Sequence, residues 1–273
     1  MKLVINLILI VVVTSSLAQN FEGTIKWKMT MEITDPEQAA KMNEAAQQLN
    51  DPAMQAQMAE LKKQMENPQM KAIMESNPQM KAMMEKMAGG SFPDVNSMIP
   101  KGFTMKIKEG NTLSLMEGGI MDGMEVLYLK DKNQSYQLDR ANKTYSVMNS
   151  IKSTDDAKVE VTRTSETMKV LNYNCTKYLI QVTKNEKTIT QVCWATTEIK
   201  DIDFSSLTNQ RMGGTGNSMF YKEVDGVPLK MEVEQPDGKV TMEVTEISKS
   251  SLNKNDFSIP SDFKEVKGMM GKD

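Results

Sequence analysis

The chain has 273 residues, 39% of them apolar, so it is long enough for one large or two small domains and can bury a real core. Its 33 basic and 36 acidic side chains give a net charge of -3, which predicts no nucleic-acid partner. Histidine is absent, and this excludes serine–histidine hydrolases, cysteine–histidine dyads and the common zinc-protease motif.

The chain begins with a segment typical of exported proteins. In residues 1–18, a lysine precedes a run of roughly eleven apolar residues, and small side chains follow at Ser16 and Ala18. The run is shorter than the roughly 20 residues of a membrane-spanning helix, and no comparable run recurs. We therefore expect a signal peptide at 1–18 rather than an uncleaved anchor helix. The mature domain, 19–273, is expected to be soluble, without a transmembrane segment, and periplasmic or secreted.

Alternating apolar and polar residues then predict an antiparallel sheet. At residues 21–33, Ile25, Trp27 and Met29 point one way and the polar residues between them point the other way. The same period of two returns between residues 101 and 247, so about ten or eleven strands are expected. A sheet of this size curls, and its concave face must be covered. The side chains expected on that inner face are Ile25, Trp27, Met29, Met105, Ile107, Leu113, Leu115, Tyr178, Ile180, Val182, Trp194, Met231, Val233, Met242 and Val244.

Residues 35–100 interrupt the strand pattern with short helices. Asp-Pro or Asn-Pro pairs begin at Asp35, Asp51, Asn67 and Asn77, and each combines a favoured helix N-cap with proline at the first helical position. Helices this short are not stable alone, because nucleation outweighs so few hydrogen bonds below about 12 to 15 residues. We therefore expect the 35–100 insert to lie against the sheet as a helical lid.

These helices carry a methionine on nearly every turn. The methionines are interpreted as cover for the concave face or, since unbranched thioethers repack around varied shapes, as the lining for an apolar ligand. Copper(I), which thioethers select, is the alternative. The predicted ligand-binding residues are Met54, Met58, Met65, Met70, Met74, Met80, Met83, Met84 and Met87 of the insert, together with Trp27 and Trp194 of the sheet.

The chain contains two cysteines, Cys175 and Cys193. In an oxidising compartment such a pair predicts one disulfide. Alternation places both cysteines opposite Tyr178 and Trp194, outside the core, across a hairpin whose turn lies near residues 184–187. The midpoint between the cysteines is slightly off that turn, so a bulge or diagonal pairing is required.

Enzymatic chemistry finds little support in the sequence. Carboxylate pairs such as Asp155/Asp156 and Asp201/Asp203 lie beside turn signals, where they favour solubility or helix capping over an active site. The protein is therefore expected to have no catalytic residues, no cofactor and no metal site.

Two parts of the chain resemble known families. The insert, with DPAMQAQMAEL followed by NPQMKAIMESNPQMKAMMEK, resembles the Asp-Pro and Asn-Pro helical repeats of stress-inducible co-chaperones and ubiquilins, whose Met-rich helices line a groove for apolar segments. The strands, among them FEGTIKWKMTMEI, LNYNCTKYLI, TITQVCWATTEI and VDGVPLKMEVE, resemble an uncharacterised family of exported bacterial proteins with a domain of unknown function. That family is related in fold to LolA-type periplasmic lipoprotein carriers. The resemblance implies a mainly β fold: a strongly curved antiparallel sheet, or open half-barrel, with helices on its concave side.

Pattern and resemblance together predict a function. We expect a single-domain, monomeric, non-enzymatic periplasmic protein that binds or carries lipids or other apolar ligands, with a hydrophobic ligand or a lipidated protein as its partner. The alternatives are a Met-rich copper(I)-binding protein and a structural envelope protein.

Overall fold

The computed structural model describes residues 21–65, 67, 99–148, 158–202, 221, 223–235 and 238–266. The expected signal peptide at 1–18 lies outside these residues, as do the methionines between 70 and 87. Within the described ranges, no helix is long and apolar enough to cross a membrane.

The described strands form one 12-stranded sheet with two free ends, so it is not closed into a barrel. Its order is β12-β6-β5-β4-β3-β2-β1-β11-β10-β9-β8-β7, antiparallel throughout except where β12 runs parallel to β6. The strands are β1 Gly23–Ile33, β2 Gly102–Lys108, β3 Asn111–Glu117, β4 Glu125–Leu129, β5 Gln134–Asp139, β6 Thr144–Met148, β7 Lys158–Val170, β8 Tyr173–Lys184, β9 Lys187–Thr196, β10 Val227–Gln235, β11 Gly238–Lys249 and β12 Lys264–Glu265. The expected mainly β class with an open antiparallel sheet is confirmed.

The connection between β6 and β7 requires this sheet to curve strongly. These strands follow each other in the chain but lie ten strand positions apart in the sheet. In a flat sheet, that separation would be roughly 48 Å at about 4.8 Å per strand. The chain from Met148 to Lys158 can span about 36 Å at most, even fully extended. The two ends of the sheet must therefore approach each other, which gives it a concave inner face.

Two-residue turns set the register of two hairpins. Lys108 pairs with Asn111 across Glu109 and Gly110, whose φ angles are 54° and 79°. Lys184 pairs with Lys187 in the same way, across a turn whose residues have φ angles of 49° and 63°. Two positive φ angles are the signature of the turn that matches the twist of a hairpin. Such a turn pairs odd-numbered residues with even-numbered ones. If the odd-numbered side chains of the first strand point inward, the even-numbered side chains of the second strand point inward.

This register corrects two expected inward positions on β3. Met105 pairs with Ser114 and Ile107 with Thr112, so Leu113 and Leu115 lie on the outer face. Leu113 is buried there, whereas Leu115 is 39% exposed. Most of the other expected core positions are confirmed as buried: Ile25, Trp27, Met105, Ile107, Tyr178, Ile180, Val182, Met231, Met242 and Val244. Met29 is half-buried and packs against the larger core cluster, and Val233 is half-buried.

Two hydrophobic clusters stabilise the sheet. The larger includes the inner side chains of β1, β2, β10 and β11. The smaller lies on the outer face of β3–β6, where Phe257 covers the sheet. Phe257 ends a short 3₁₀ turn, Lys254–Phe257, in the C-terminal segment at residues 250–266, which we call the outer strap. The sheet residues beneath the strap are Leu113, Leu127, Tyr136 and Leu138, and the strap adds the half-buried Leu252, Ile259 and Phe263.

Two helices follow β1: α1 Pro36–Asn50 and α2 Pro52–Met65. The Asp35 carboxylate accepts hydrogen bonds from the backbone N–H groups of Glu37, at 2.8 Å, and Gln38, at 3.3 Å. Asp51 accepts one from Ala53 at 2.7 Å. Both Asp-Pro helix starts are therefore confirmed, with the N-caps satisfying otherwise unpaired donors. The helices expected after Asn67 and Asn77 lie outside the described residues.

Candidate functional site

The inner face is most apolar at the centre of the sheet. Trp27 on β1 pairs in register with Phe103 on β2 and with Val244 on β11. The rings of Trp27 and Phe103 are stacked, with centroids 5.6 Å apart and planes 12° apart. All three side chains are buried. This wall of ring and aliphatic carbon offers no polar group except the indole N–H.

Methionines on the strands extend this apolar surface. Met105 lies on β2, and Met231 and Met242 pair with each other across β10 and β11. All three are buried, and Met29 packs against the same cluster. Thioether side chains fill irregular spaces and adapt to different neighbours. The sequence analysis assigned ligand binding to the methionines of the insert, whereas the structure places this second group on the sheet itself.

On β3–β6, the inner face becomes polar. One cross-strand row runs from Met105 through Ser114, Val126 and Gln137 to Ser146. A neighbouring row carries Thr112, Tyr128 and Ser135 beyond Ile107. The buried polar residues in this half are Thr112, Ser114, Thr144 and Ser146. Sequence reasoning missed them, because they become visible only when the two-residue turn at Glu109 and Gly110 is used to reverse the parity of β3.

Two buried polar atoms on this face are left unsatisfied. Within the described part of the chain, Trp27 Nε1 and Thr144 Oγ1 have no hydrogen-bond partner, although the two side chains are only 3% and 8% exposed. A buried unpaired polar group costs about 1 to 3 kcal/mol. Trp27 lies on β1, where it pairs with Phe103, and Thr144 lies on β6, where it pairs with Asp139; the two strands are five positions apart in the sheet.

Charge is nearly absent from the inner face of β1–β6. Among the described residues at inward positions of these strands, Asp139 is the one charged side chain. Its carboxylate accepts hydrogen bonds from Asn142 N at 2.9 Å and Asn142 Nδ2 at 2.7 Å, so it is occupied by its own turn. A buried anionic group would therefore find no cation among the described inward positions of β1–β6, and burying an unpaired charge is strongly unfavourable.

Trp194 lies apart from Trp27. It pairs in register with Lys177 on β8 and Lys230 on β10, on the opposite side of β9 from Cys193. The Lys177 ammonium is 5.7 Å from the centroid of the Trp194 ring, within the range of a cation–π contact. Trp194 is half-buried and still contacts the larger cluster. Its expected inward position is wrong, because the two-residue turn between β8 and β9 reverses the parity of β9.

The structure does not show the expected disulfide, and the same turn gives a reason. The hairpin turn lies where predicted, at Lys184 and Lys187, but the pairing of β8 with β9 continues without a bulge. Cys193 therefore lies opposite Tyr178, and Cys175 is three residues away along β8. Both cysteines are buried free thiols. Burial raises the pKa of Cys175 to about 11 and that of Cys193 to about 12, which keeps both protonated and unreactive.

The remaining predicted site residues belong to the insert. Met54, Met58 and Met65 lie on α2, where the structure describes the backbone and not these three side chains. The others lie outside the described residues: Met70, Met74, Met80, Met83, Met84 and Met87. Their role as ligand-binding residues stays a prediction. Within the described ranges, no three or more Cys, Asp or Glu side chains form a group that could hold a metal ion.

The chain can be compared with solved structures and with curated proteins. A solved structure similar to it is the crystal structure of LprF from Mycobacterium bovis, with 8% sequence identity over 89% of this chain and 90% of that chain. The TM-score is 0.31, and at that value the two backbones diverge too far for the likeness to support a shared fold or function. No curated protein matches the chain.

The family model of a domain of unknown function, DUF4412, matches residues 101–263. The matched range contains β2–β11 and most of the outer strap, but not the helical insert. The resemblance of the insert to co-chaperone and ubiquilin repeats therefore stays a prediction. Because the match spans more than half of the chain, the expected membership of a family with a domain of unknown function is confirmed, and the chain belongs to the DUF4412 family.

Proposed function

We propose that this protein is a non-enzymatic binding or carrier protein for lipids or other apolar ligands. The observation that carries the proposal is the inner face of the curved sheet, where aromatic and thioether side chains line β1, β2, β10 and β11. Ligand pockets are typically concave and mostly apolar, with few polar groups. Thioethers add the ability to repack around acyl chains of different shape.

The helical insert is proposed to cover this face and to open for the ligand. It connects β1 to β2, and these two strands are neighbours in the middle of the sheet. Apart from its first turn, where Gln38 and Ala39 are half-buried, the described side chains of α1 and α2 are exposed. Ligand-binding lids are drawn from elements that open at low free energy, and the proposal requires the insert to be such an element.

The expected export signal gives the proposed carrier its compartment. A lipid, or the acyl chain of a lipidated protein, cannot cross an aqueous envelope space unaided, because its apolar surface is strongly disfavoured in water. A protein that encloses the acyl chain removes this surface from water. We therefore propose that the protein acts after export, in the periplasm or outside the cell.

A matched pair of substitutions on β1 tests the proposal. Met29 lies on the inner side of β1, whereas the neighbouring Thr30 points outward and is exposed. Met29→Glu and Thr30→Glu add the same charge, one residue apart. In titrations of the delipidated full chain with a fluorescent fatty-acid probe, we expect Met29→Glu to weaken binding at least tenfold and Thr30→Glu less than twofold. Equal effects, or no binding by the unsubstituted chain, would contradict the proposal.

A further inference from the structure

The β3–β6 half of the inner face differs in chemistry from the centre of the sheet. We propose that this half binds the uncharged, hydroxyl-bearing head group of an amphipathic lipid, while the acyl chain lies against β1, β2, β10 and β11. The inference rests on the proposed lipid-binding function and adds the class of head group. A lipid with an ester or amide carbonyl and free hydroxyl groups has the required chemistry.

The first support is the distribution of side chains across the two faces of β3–β6. Leu127, Tyr136 and Leu138 lie on the outer face of these strands, beneath the outer strap. Met116, Val126 and Tyr128 point inward, between the polar side chains. Ser114, Gln137 and Ser146 occupy one inward row. Packing alone would place apolar residues on any enclosed face, because burying a polar group without a hydrogen bond costs free energy. Among the described buried side chains of this half, Thr144 Oγ1 is the atom without a hydrogen-bond partner, so a polar occupant is expected beside it.

The second support is the pair of unsatisfied atoms. Trp27 Nε1 is a hydrogen-bond donor at the centre of the sheet, on β1, two strand positions from β3, where the polar half begins. Thr144 Oγ1, which can donate or accept, lies on β6 within the polar half. The carbonyl that joins an acyl chain to its head group would accept from Trp27, and a head-group hydroxyl would pair with Thr144. The two atoms lie on strands five positions apart, so each is a separate hydrogen-bonding site: Trp27 for a carbonyl and Thr144 for a hydroxyl.

The third support is charge. Asp139, already hydrogen-bonded to Asn142, is the one charged side chain at the described inward positions of β1–β6. Those positions supply no lysine or arginine to pair with a phosphate group, and desolvating an unpaired phosphate is strongly unfavourable. The site therefore favours neutral over anionic head groups.

Three ligands that share the same oleoyl chain distinguish the contribution of the hydroxyl groups from the effect of charge. Monooleoylglycerol has the carbonyl and free hydroxyls, its phosphate ester adds negative charge, and methyl oleate keeps the carbonyl but has no hydroxyl. We expect the full chain to bind monooleoylglycerol at least tenfold more tightly than either of the other two. Equal affinity for monooleoylglycerol and methyl oleate would overturn the inference. Binding of methyl oleate in that case would leave the proposed lipid-binding function intact, whereas binding of none of the three would contradict both.

Substitution of Thr144 tests the role of the polar half directly. Thr144→Val keeps the shape of the side chain and removes its hydroxyl. We expect it to reduce the preference for monooleoylglycerol over methyl oleate about fivefold or more, with methyl oleate affinity unchanged. Thr241→Val, an outward-facing change on β11, is the matched control and should leave the preference within twofold. A preference retained in Thr144→Val would overturn the inference.

Trp27 supplies an independent readout. Because the chain has two tryptophans, Trp194→Phe leaves Trp27 as its single indole. A carbonyl that accepts from Trp27 Nε1 stabilises the polar excited state of the indole, so monooleoylglycerol and methyl oleate should both shift the emission to the red. A saturated hydrocarbon probe should not. Emission that does not change when either ester binds would remove Trp27 from the site.

Discussion

The centre of the sheet and its β3–β6 half use the same strand pattern in opposite ways. Around β1 and β11, large apolar side chains point inward and ion pairs such as Lys26–Glu246, at 2.7 Å, lie on the exposed outer side. On β3–β6, a second apolar cluster lies on the outer face beneath Phe257, and the inner face mixes hydroxyl and amide groups with Met116, Val126 and Tyr128. The β3–β6 half therefore has a hydrophobic cluster on its outer face, completed by the outer strap. Inner positions in that half are then free to serve a ligand.

The largest expected effect concerns the outer strap. Phe257 is 7% exposed and contributes the strap's buried side chain to the smaller cluster. Phe257→Ala should lower the free energy of unfolding by about 3 to 5 kcal/mol, because it removes buried apolar area and leaves a cavity. Urea unfolding followed by circular dichroism measures this. Leu115→Ala, at a 39% exposed position on the same face, is the control and should stay within about 0.5 kcal/mol.

The same variant sharpens the comparison between the two halves. If the strap stabilises β3–β6 in particular, amide exchange in Phe257→Ala should accelerate in β4 and β5 and remain slow in β8 and β9. Uniform acceleration through all strands would show that the two halves unfold as one unit, and the account of a separately covered half would then be wrong.

A smaller effect of opposite sign is expected at Thr144. Its hydroxyl is buried and unpaired, so Thr144→Val should raise the stability of the ligand-free protein by about 1 kcal/mol. Thermal unfolding of delipidated protein measures this, with Thr241→Val as the control. If Thr144 binds the ligand, Thr144→Val should be more stable than the unsubstituted chain and less selective for hydroxyl-bearing lipids. Lower stability in Thr144→Val would mean that the hydroxyl is satisfied in the native state.

The smallest effect is an acid dependence of the strap. Glu22 accepts hydrogen bonds from Leu252 N and, at 2.6 Å, from Lys108 Nζ. The backbone N–H of Leu252 and then the lysine hold the Glu22 pKa below its ordinary value of 4.5. A carboxyl with a lowered folded-state pKa stabilises the fold above its ordinary pKa, and this contribution is lost as pH falls through the folded-state pKa. Because the pair is partly exposed, the effect is modest.

Replacing Glu22 tests that dependence. In Glu22→Gln, we expect the loss of stability below about pH 4.5 to be shallower than in the unsubstituted chain, measured by urea unfolding across pH 3 to 7. Glu109→Gln, in the exposed β2–β3 turn, should leave the pH profile unchanged. Identical profiles for all three proteins would remove Glu22 from the contacts that hold the strap.

Much of the fold was predictable, because strand alternation and Asp-Pro capping are local signals. β1, the hairpin turn near 184–187 and the starts of α1 and α2 lie where the pattern indicates. The inward residues of β3 and β9 were not predicted. The sequence pattern was read as if residues of the same odd or even numbering faced inward on both strands of a hairpin, whereas a two-residue turn exchanges them. That error placed Leu113, Leu115 and Trp194 inward and Cys193 outward.

The polar half of the site and the strap were missed for a second reason. The strap sequence has no periodicity, so its packing on the sheet is a long-range contact that no local pattern reveals. One signal was present in β4, where Val126, Leu127 and Tyr128 form an unbroken apolar run and are all buried. Such runs are typical of strands covered on both faces. This run indicates an outer covering, although it does not identify which segment supplies it.

The most direct test of the central claim is native mass spectrometry of the full chain, isolated without detergent from cells that produce it. We predict a chain that carries one neutral acyl lipid, which dissociates from the protein on activation in the gas phase. A bound copper ion, an anionic phospholipid in place of a neutral lipid, or a chain that is consistently free of lipid would contradict it.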